Sequence, residues 1–523
     1  MENRGIDDLD PRLNRFPEGF AEALLSSRAG RGQAGDVRST SRPKVFLLGV
    51  GGVAMASLAG LLKDVGCEVS GADEGLYPPM KGMIEELGIH VHEGYGQECL
   101  DGAPGLVVVG NVVTRRFPAA AELKRRGIPY LSLPQALSEI FLKSSRNLVV
   151  AGCHGKTTLT SLCARLLSEG GLDPGFLIGG ASLDFPRPYA RGGGDLFVVE
   201  GDEYDCAFFD KRPKFVHYRP RVAILTSVEY DHADIYPDLA SVRAAFRSLA
   251  ELVPPDGLLV ANGDDPLCVE ASAASRGRVE LYGEGEGLDW RLAAFRAEGF
   301  GSRFTVRGPQ GREYELGWPK LGRYNARGAC AAVAAAIELG LDPERLPEAF
   351  AGFRGVRRRQ EPVFDSWAPL RRGDLGPGGV TVVDDFAHHP TAVALTLAAL
   401  KEAFPGRRLV CCFEPRSNTS RRAIFQGEYA KAFGAADLAI LCAVDRPDKA
   451  PEGDRLDAAR LARDIGPGAE LRPDPDAVFE RAVSLVRPGD IVCVMSNGAF
   501  GGISARLADF FRDKTPGFPP VGV

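Results

Sequence analysis

The chain has 523 residues, 45% of them hydrophobic and 25% charged, with a formal net charge of −6. Domains usually hold roughly 100–200 residues, so this length predicts three domains and enough apolar surface for several cores. The acidic balance removes any general electrostatic case for nucleic acid or an anionic membrane as the main partner, although the basic run Arg357, Arg358 and Arg359 can still meet a phosphate locally.

The 11 cysteines show no paired metal-ligand spacing. With an odd count and no apolar signal segment at the N-terminus, they fit a reducing, cytoplasmic setting. Cys411 and Cys412 lie in an apolar run and read as small core residues. No stretch nears the ~18 uninterrupted apolar residues of a membrane span, so membrane insertion is not expected. No obligatory protein partner is implied. Residues 1–43, rich in Arg, Gly, Asp and Ser, are expected to form a poorly ordered leader.

Regular structure is predicted from Lys44 onward. Val45–Leu48 reads as a buried strand, followed by a glycine cluster and a helix over 54–65; Cys67–Ser70 and Leu106–Val109 read as further strands. This first domain spans residues 44–146. A second, 147–356, opens on the strand Asn147–Ala151 and carries strands Leu196–Val199 and Val222–Thr226 and an alanine-rich helix over 326–339. A third, 357–523, holds strands Val380–Val383, Leu409–Phe413, Leu438–Leu441 and Ile491–Val494. Residues 365–379, rich in glycine, read as a loop insertion. Strands alternating with helices predict an α/β fold of three domains, each with a mostly parallel, doubly wound sheet. Rossmann-like N- and C-terminal domains would flank a P-loop ATPase-like central domain.

The sharpest motif is Gly152-Cys153-His154-Gly155-Lys156-Thr157-Thr158, between a strand and a helix. Glycines let the chain turn so that N–H groups converge on phosphate oxygens, and the following helix N-terminus adds positive potential. Lys156 suits the β- and γ-phosphates of a nucleotide, and the Thr157 hydroxyl suits Mg²⁺. Mg²⁺ prefers oxygen donors, and Glu200, at the end of a strand, opens an acidic run through Asp205. His232 follows the next strand; a lone histidine is more often a loop or core residue than a ligand. The turn Gly49-Val50-Gly51-Gly52 suits a nucleotide too, and by itself fits a dinucleotide-dependent oxidoreductase as readily as any other reading. Asp73, after the second strand, suits a ribose or uracil contact.

Together these residues resemble the Mur ligase family from about Lys44 to the C-terminus. The resemblance rests on Gly152–Thr158, Glu200–Asp205, Asp231-His232 and Tyr324-Asn325-Ala326-Arg327-Gly328. It implies that Lys156 binds the γ-phosphate of ATP, that Thr157 and Glu200 serve one Mg²⁺ and His232 a second, and that Asn325 contacts adenine. Cys153 stands where threonine is usual, and Tyr324 and Gly328 replace the usual histidine and second asparagine. Some members carry a carbamylated lysine after the metal histidine; residues 231–260 contain none, and Arg247 stands in that region. The Gly49–Met55 turn resembles the nucleotide-sugar loop of family members acting on UDP-N-acetylmuramate, with Gly49, Gly51, Gly52, Asp73 and Asn111 as the implied sugar-nucleotide residues.

Two branches of the family act on that sugar: one adds L-alanine, the other a preformed L-alanyl-γ-D-glutamyl-meso-diaminopimelate peptide. The stretches Tyr77–Met80, Val109–Asn111, Phe208–Lys211, Asp384–Thr391, Phe413–Thr419 and Met495–Gly502 resemble the second. That branch implies ATP as co-substrate, Mg²⁺ as cofactor, and a cell-wall peptide and UDP-N-acetylmuramate as partners, joined through an acyl phosphate in peptidoglycan recycling. Lys156 and a basic residue such as Arg358 would offset developing charge. His388 and His389 would orient the reacting groups, Asp385 would help bind nucleotide, and Arg416 with Asn418 would hold the peptide. Alternatives are the L-alanine ligase and, more distantly, a phosphate-loop NTPase or a nicotinamide oxidoreductase. Cys153, in a loop built for anions, is expected either to fill space or to be a reactive thiolate.

Overall fold

Residue patterning explains the first sheet directly. Strand β1 (Lys44–Leu48) is buried from Val45 onward, as a parallel strand covered on both faces must be. With β2 (Glu68–Asp73), β3 (His90–Glu93), β4 (Leu106–Val109) and β5 (Tyr130–Ser132) it forms a parallel sheet in the order β3-β2-β1-β4-β5. The helix Val53–Asp64 buries every side from Met55 to Leu62, because its sequence is apolar all round. The computed structural model describes residues 11–17, 19–20, 42–366 and 379–514. Most of the glycine-rich insertion expected at 365–379 lies outside these residues, as does most of the leader.

Part of that leader is nevertheless folded. Leu13 packs on the core of the first sheet. Asn14 and Gln135 exchange side-chain hydrogen bonds of 3.2 and 2.8 Å. The expectation of a leader without order therefore fails for residues 11–17. Two anchoring side chains in a polar stretch have no periodicity to reveal them.

Contacts gather the chain into two units. The first contains residues 1–228, 243–290 and 331–349. Beyond the N-terminal sheet it holds β6 (Arg146–Ala151), β7 (Gly175–Leu177), β8 (Tyr189–Ala190), β9 (Leu196–Gly201), β12 (Pro220–Leu225), β13 (Leu258–Asn262) and β14 (Arg278–Gly283). These strands run in the order β14-β13-β12-β6-β9-β7-β8 and are parallel except for β8. Ala151 pairs with both Leu225 and Gly201. Three C-terminal strand ends are thus brought level, where open α/β sheets place their ligands. A short antiparallel hairpin, β10 (Asp205–Ala207) and β11 (Asp210–Pro213), follows β9. Its tip residues, Phe208 and Phe209, pack on the N-terminal core, with the Phe209 and Tyr130 rings 4.8 Å apart.

The second unit contains residues 229–242, 291–330 and 350–523. Its main sheet has β18 (Glu361–Asp365), β19 (Thr381–Asp385), β20 (Leu409–Phe413), β21 (Leu438–Cys442), β22 (Ala469–Arg472) and β23 (Ile491–Met495). The order is β18-β19-β23-β20-β21-β22, parallel apart from the antiparallel edge β18. One core cluster is built around Leu397, Phe413 and Tyr429 and another around Val382, Val492 and Leu507. Three antiparallel strands, β15 (Trp290–Glu298), β16 (Gly301–Arg307) and β17 (Glu313–Trp318), were not anticipated. Among the described residues no helix is long and apolar enough to cross a membrane.

Asn147 is the polar exception at the start of β6. It is 1% exposed, and its amide donates to the carbonyls of Leu142, Tyr218 and Arg219 at 3.0, 3.0 and 3.1 Å. Asn147→Ala would strand buried carbonyls. Urea unfolding is expected to show a loss of about 1–3 kcal/mol; an unchanged midpoint would contradict this role.

Candidate active site

In the first unit the glycine loop is shaped by steric need. A Cβ on Gly152, whose φ is +128°, would lie 2.1 Å from the Thr226 hydroxyl and 2.8 Å from the Ser227 nitrogen. The Cys153 N–H donates to the Ser227 carbonyl at 3.0 Å and the His154 N–H to the Ser227 hydroxyl at 3.0 Å. The Thr226 hydroxyl in turn donates to the His154 carbonyl at 2.6 Å. The loop is thereby fixed against the end of β12 rather than left free. Gly155, at φ +80°, caps the helix Lys156–Glu169. Cys153 and His154 are half-buried and Thr158 is buried.

Lys156 Nζ bonds both carboxylate oxygens of Glu203, at 3.0 and 2.8 Å. Glu203 is 1% exposed. Burial works against the Lys156 ammonium, but Glu203, with Asp202 and Glu200, raises its pKa above the ordinary lysine value. The lysine is therefore held charged and aimed. Thr157 Oγ1 lies 3.1 Å from Glu200 Oε1, while Glu200 Oε2 accepts the Gly179 N–H at 2.9 Å. The two residues expected to serve one Mg²⁺ are brought together, and both offer oxygen, which is what a hard cation requires. Glu203 escaped sequence reasoning, although it stands in the acidic run Glu200–Asp205.

The first glycine turn lies between β1 and the helix Val53–Asp64. Gly49 has φ +84°, and the Gly51 N–H donates to Asp73 Oδ2 at 2.7 Å. A Cβ on Gly51 would sit 2.9 Å from that same oxygen. Gly52 is the helix N-cap, and Asn111 is exposed just past β4. Gly49, Gly51, Gly52 and Asp73 thus gather at the ends of two adjacent strands, β1 and β2. Tyr95, buried beside Gly49, was not anticipated; burial and then Asp73 and Glu74 hold its hydroxyl protonated well beyond the ordinary tyrosine range.

In the second unit, His232, His388 and His389 gather around Asp231. The buried Asp231 carboxylate accepts the Thr419 hydroxyl at 2.6 Å and the His232 N–H at 2.7 Å. Burial opposes its charge, but the three histidines and the Thr419 hydroxyl lower its pKa overall. Burial pushes His388 down to about 4 despite Asp231, and its Nδ1 lies 3.0 Å from the Phe386 carbonyl. His389 caps the helix Pro390–Ala403, its Nδ1 accepting the Thr391 N–H at 3.3 Å while Nε2 faces the Tyr230 carbonyl at 3.3 Å. Nδ1 also lies 3.6 Å from a Glu229 carboxylate oxygen. Asn418 donates to Asp234 at 2.8 Å and the His232 N–H to the Thr419 hydroxyl at 3.1 Å, so the loop carrying His232 is tied to residues 418–419 three times.

Other expected residues are more fully engaged than their sequence suggests. Arg358 donates to the carbonyls of Ser496 and Gly498 at 2.6 and 2.7 Å and lies 3.6 Å from Asp384. Together they border a cavity of about 170 Å³ that Ser496, Phe500 and Ser504 also line. Both oxygens of buried Asp385 accept backbone N–H groups, from Gln360 and Ala387, each at 2.7 Å. Burial raises its pKa against the pull of Arg359. The Asn325 amide donates to the Leu321 carbonyl at 2.7 Å and to Gln360 at 3.0 Å. Arg416 sits 3.6 Å from Asp445 and packs where a Gly498 side chain would be. Arg247 is exposed and pairs with Glu251 at 3.2 Å.

Three family models together match most of the chain. Residues 44–144 match the model described as Mur ligase family, catalytic domain; 150–336 match the Mur ligase middle domain; and 371–498 match the Mur ligase, glutamate ligase domain. The chain belongs to the Mur ligase family, and is thus an ATP-dependent ligase that forms amide bonds. It is 38% identical over 473 residues, 90% of this chain and 99% of the relative, to the Escherichia coli K12 UDP-N-acetylmuramate–L-alanyl-γ-D-glutamyl-meso-2,6-diaminoheptandioate ligase. It is 35% identical over 462 residues, 87% of this chain and 92% of the relative, to the UDP-N-acetylmuramate–L-alanine ligase of Salinibacter ruber. The solved murein peptide ligase of Psychrobacter arcticus 273-4 superposes with a TM-score of 0.68 at 32% identity, covering 90% of this chain and 98% of that one.

Thr419 offers a direct check on the second cluster. Thr419→Val removes a donor from a buried carboxylate, and is expected to cost about 1–3 kcal/mol in urea unfolding and to lower ATP-dependent turnover. Thr419→Ser keeps the hydroxyl and should keep both near wild type. Equal behaviour of the two variants would exclude the hydroxyl as the group that matters.

Proposed function

We propose that this chain joins L-alanyl-γ-D-glutamyl-meso-diaminopimelate to UDP-N-acetylmuramate at the expense of ATP, as in the recycling of cell-wall peptide. The observation that carries the reading is the 38% identity over 90% of the chain to a ligase named for those two substrates. The Lys156–Glu203 and Thr157–Glu200 contacts supply the matching chemistry. A nicotinamide oxidoreductase or a plain phosphate-loop NTPase would leave the sugar-nucleotide turn or the third domain unexplained.

In the proposed reaction the lactyl carboxylate of UDP-N-acetylmuramate attacks the γ-phosphorus of ATP, giving an acyl phosphate and ADP. The free amine of the peptide's L-alanine then attacks the acyl carbon. The amide forms, inorganic phosphate leaves, and the amine gives up a proton. Backbone N–H groups of Gly155–Thr158, at the helix N-terminus, cradle the triphosphate, and the charged Lys156 meets the γ-phosphoryl group as negative charge shifts along it. Thr157 and Glu200 would hold Mg²⁺, which when bound neutralises phosphate charge; His232 would serve a second ion. Asn325 would lie toward adenine and Asp385 would order the chain around the nucleotide.

The residues Gly49, Gly51, Gly52, Asp73 and Asn111 would receive the sugar nucleotide. Arg416, Asn418 and His389 would receive the peptide, with Arg416 suited to a carboxylate. Neutral His388 is suited to orient the incoming amine. Since Arg358 Nη2 donates to both the Ser496 and Gly498 carbonyls, this arginine holds that turn in place while its guanidinium charge faces Asp384.

Phosphate release should require both UDP-N-acetylmuramate and a peptide amine, with the tripeptide used at least tenfold better than L-alanine by kcat/KM. Equal or better use of L-alanine would favour the L-alanine ligase. Lys156→Ala should lower ligation more than a hundredfold while calorimetric binding of UDP-N-acetylmuramate stays within a few-fold, because the two sites occupy different domains. Arg416→Ala should raise KM for the tripeptide and leave that for ATP unchanged.

A further inference from the structure

The hairpin β10–β11 and the turn after it bring together three side chains that the ligase chemistry does not use. Cys206 Sγ, an Asp210 carboxylate oxygen and a ring nitrogen of His217 all lie within 4.8 Å of one another. Cys206 is 1% exposed, Asp210 7%, and the His217 side chain 14%. His217 Nε2 is 2.9 Å from Asp210 Oδ2, and Cys206 Sγ is 3.2 Å from the Arg212 carbonyl. The other Asp210 oxygen accepts the Arg212 backbone N–H at 3.2 Å, which orients the carboxylate as an outer-shell donor orients a metal ligand.

From this cluster we infer a binding site for a thiophilic divalent cation of the zinc class, separate from the nucleotide's magnesium. One sulfur, one nitrogen and one oxygen form a donor set that suits Zn²⁺ or Co²⁺ and not Mg²⁺. Tetrahedral bonds of about 2.0–2.3 Å need donors roughly 3.3–3.8 Å apart, so side-chain shifts of about 1 Å suffice. The fourth position is left to water. The Arg212 guanidinium, which now bonds both oxygens of Asp210 at 2.9 Å, must turn away; its side chain is 63% exposed and can do so into solvent, leaving the ion to take over the charge of the carboxylate. Binding replaces the Cys206 thiol proton, so one proton is released per ion. A nucleophilic role is excluded by the burial of Cys206. The ion would clamp the hairpin whose tip, Phe208 and Phe209, packs on the N-terminal core and whose preceding strand carries Glu200.

The test is titration of the metal-stripped full-length protein with Co²⁺. The thiolate-to-cobalt charge-transfer band should rise to one equivalent, fall on addition of Zn²⁺, and be accompanied by release of one proton. Cys206→Ser should abolish the band, and His217→Gln should weaken Co²⁺ binding at least tenfold with the band still reachable. Cys153→Ser, which alters the half-buried phosphate-loop cysteine, should leave the band intact. Zn²⁺ should also raise the melting temperature of the wild type and not of Cys206→Ser. No band in the wild type, or a band that persists in Cys206→Ser or disappears in Cys153→Ser, overturns the site.

Discussion

The ion pair between Lys156 and Glu203 is the constraint around which the nucleotide end of the molecule is organised. A lysine ammonium at the mouth of a phosphate loop must stay charged while partly withdrawn from water, and a carboxylate 2.8 Å away secures this. Breaking such a pair by removing one partner commonly costs about 3–5 kcal/mol, because the remaining charge is left buried alone. The pair can form only because β6 and β9 are adjacent and in parallel register, Ala151 opposite Gly201. The same register sets Thr157 against Glu200. Sheet geometry, lysine charge and the oxygen-donor pair are one arrangement.

The second unit solves a different problem. It must keep a buried carboxylate, Asp231, satisfied among three histidines. Thr419 and the His232 backbone supply the hydrogen bonds, and the aspartate then sets the electrostatic surroundings of three histidines. His388 is kept neutral near pH 7 by burial, the state in which an imidazole can accept a proton or a hydrogen bond. Arg358, Asp385 and Asn325 contribute by fixing backbone around this centre. Within a charged, closely packed domain, arginine and aspartate are as useful for ordering turns as for touching ligand.

Much of this was legible in the sequence because parallel strands buried on both faces write continuous apolar runs. Val45–Leu48, Leu106–Val109, Leu409–Phe413 and Ile491–Val494 all lie in strands. The turn between β6 and the helix that follows was legible because Gly152 and Gly155 occupy backbone conformations other residues rarely adopt. What escaped has equally physical reasons. The strands β15 to β17 are antiparallel and half-exposed, with Arg and Glu interleaved among their apolar positions, so their pattern is diluted. Strand β3, His90–Glu93, has no fully buried residue and carries no apolar run at all. Glu203 and Thr419 matter through partners 47 and 188 positions away, which no local pattern encodes. The cluster of Cys206, Asp210 and His217 escaped because its spacing matches no common ligand motif.

Ligation by this route requires the carboxyl group of UDP-N-acetylmuramate to be activated by phosphoryl transfer. The most direct measurement supplies this sugar nucleotide with oxygen-18 in its lactyl carboxylate, together with Mg²⁺, ATP and the tripeptide, and analyses the released phosphate by mass spectrometry. Each phosphate should carry one labelled oxygen, matched to one amide formed, since the acyl C–O bond breaks as the amine adds. Phosphate that carries no label while ATP is consumed would contradict it.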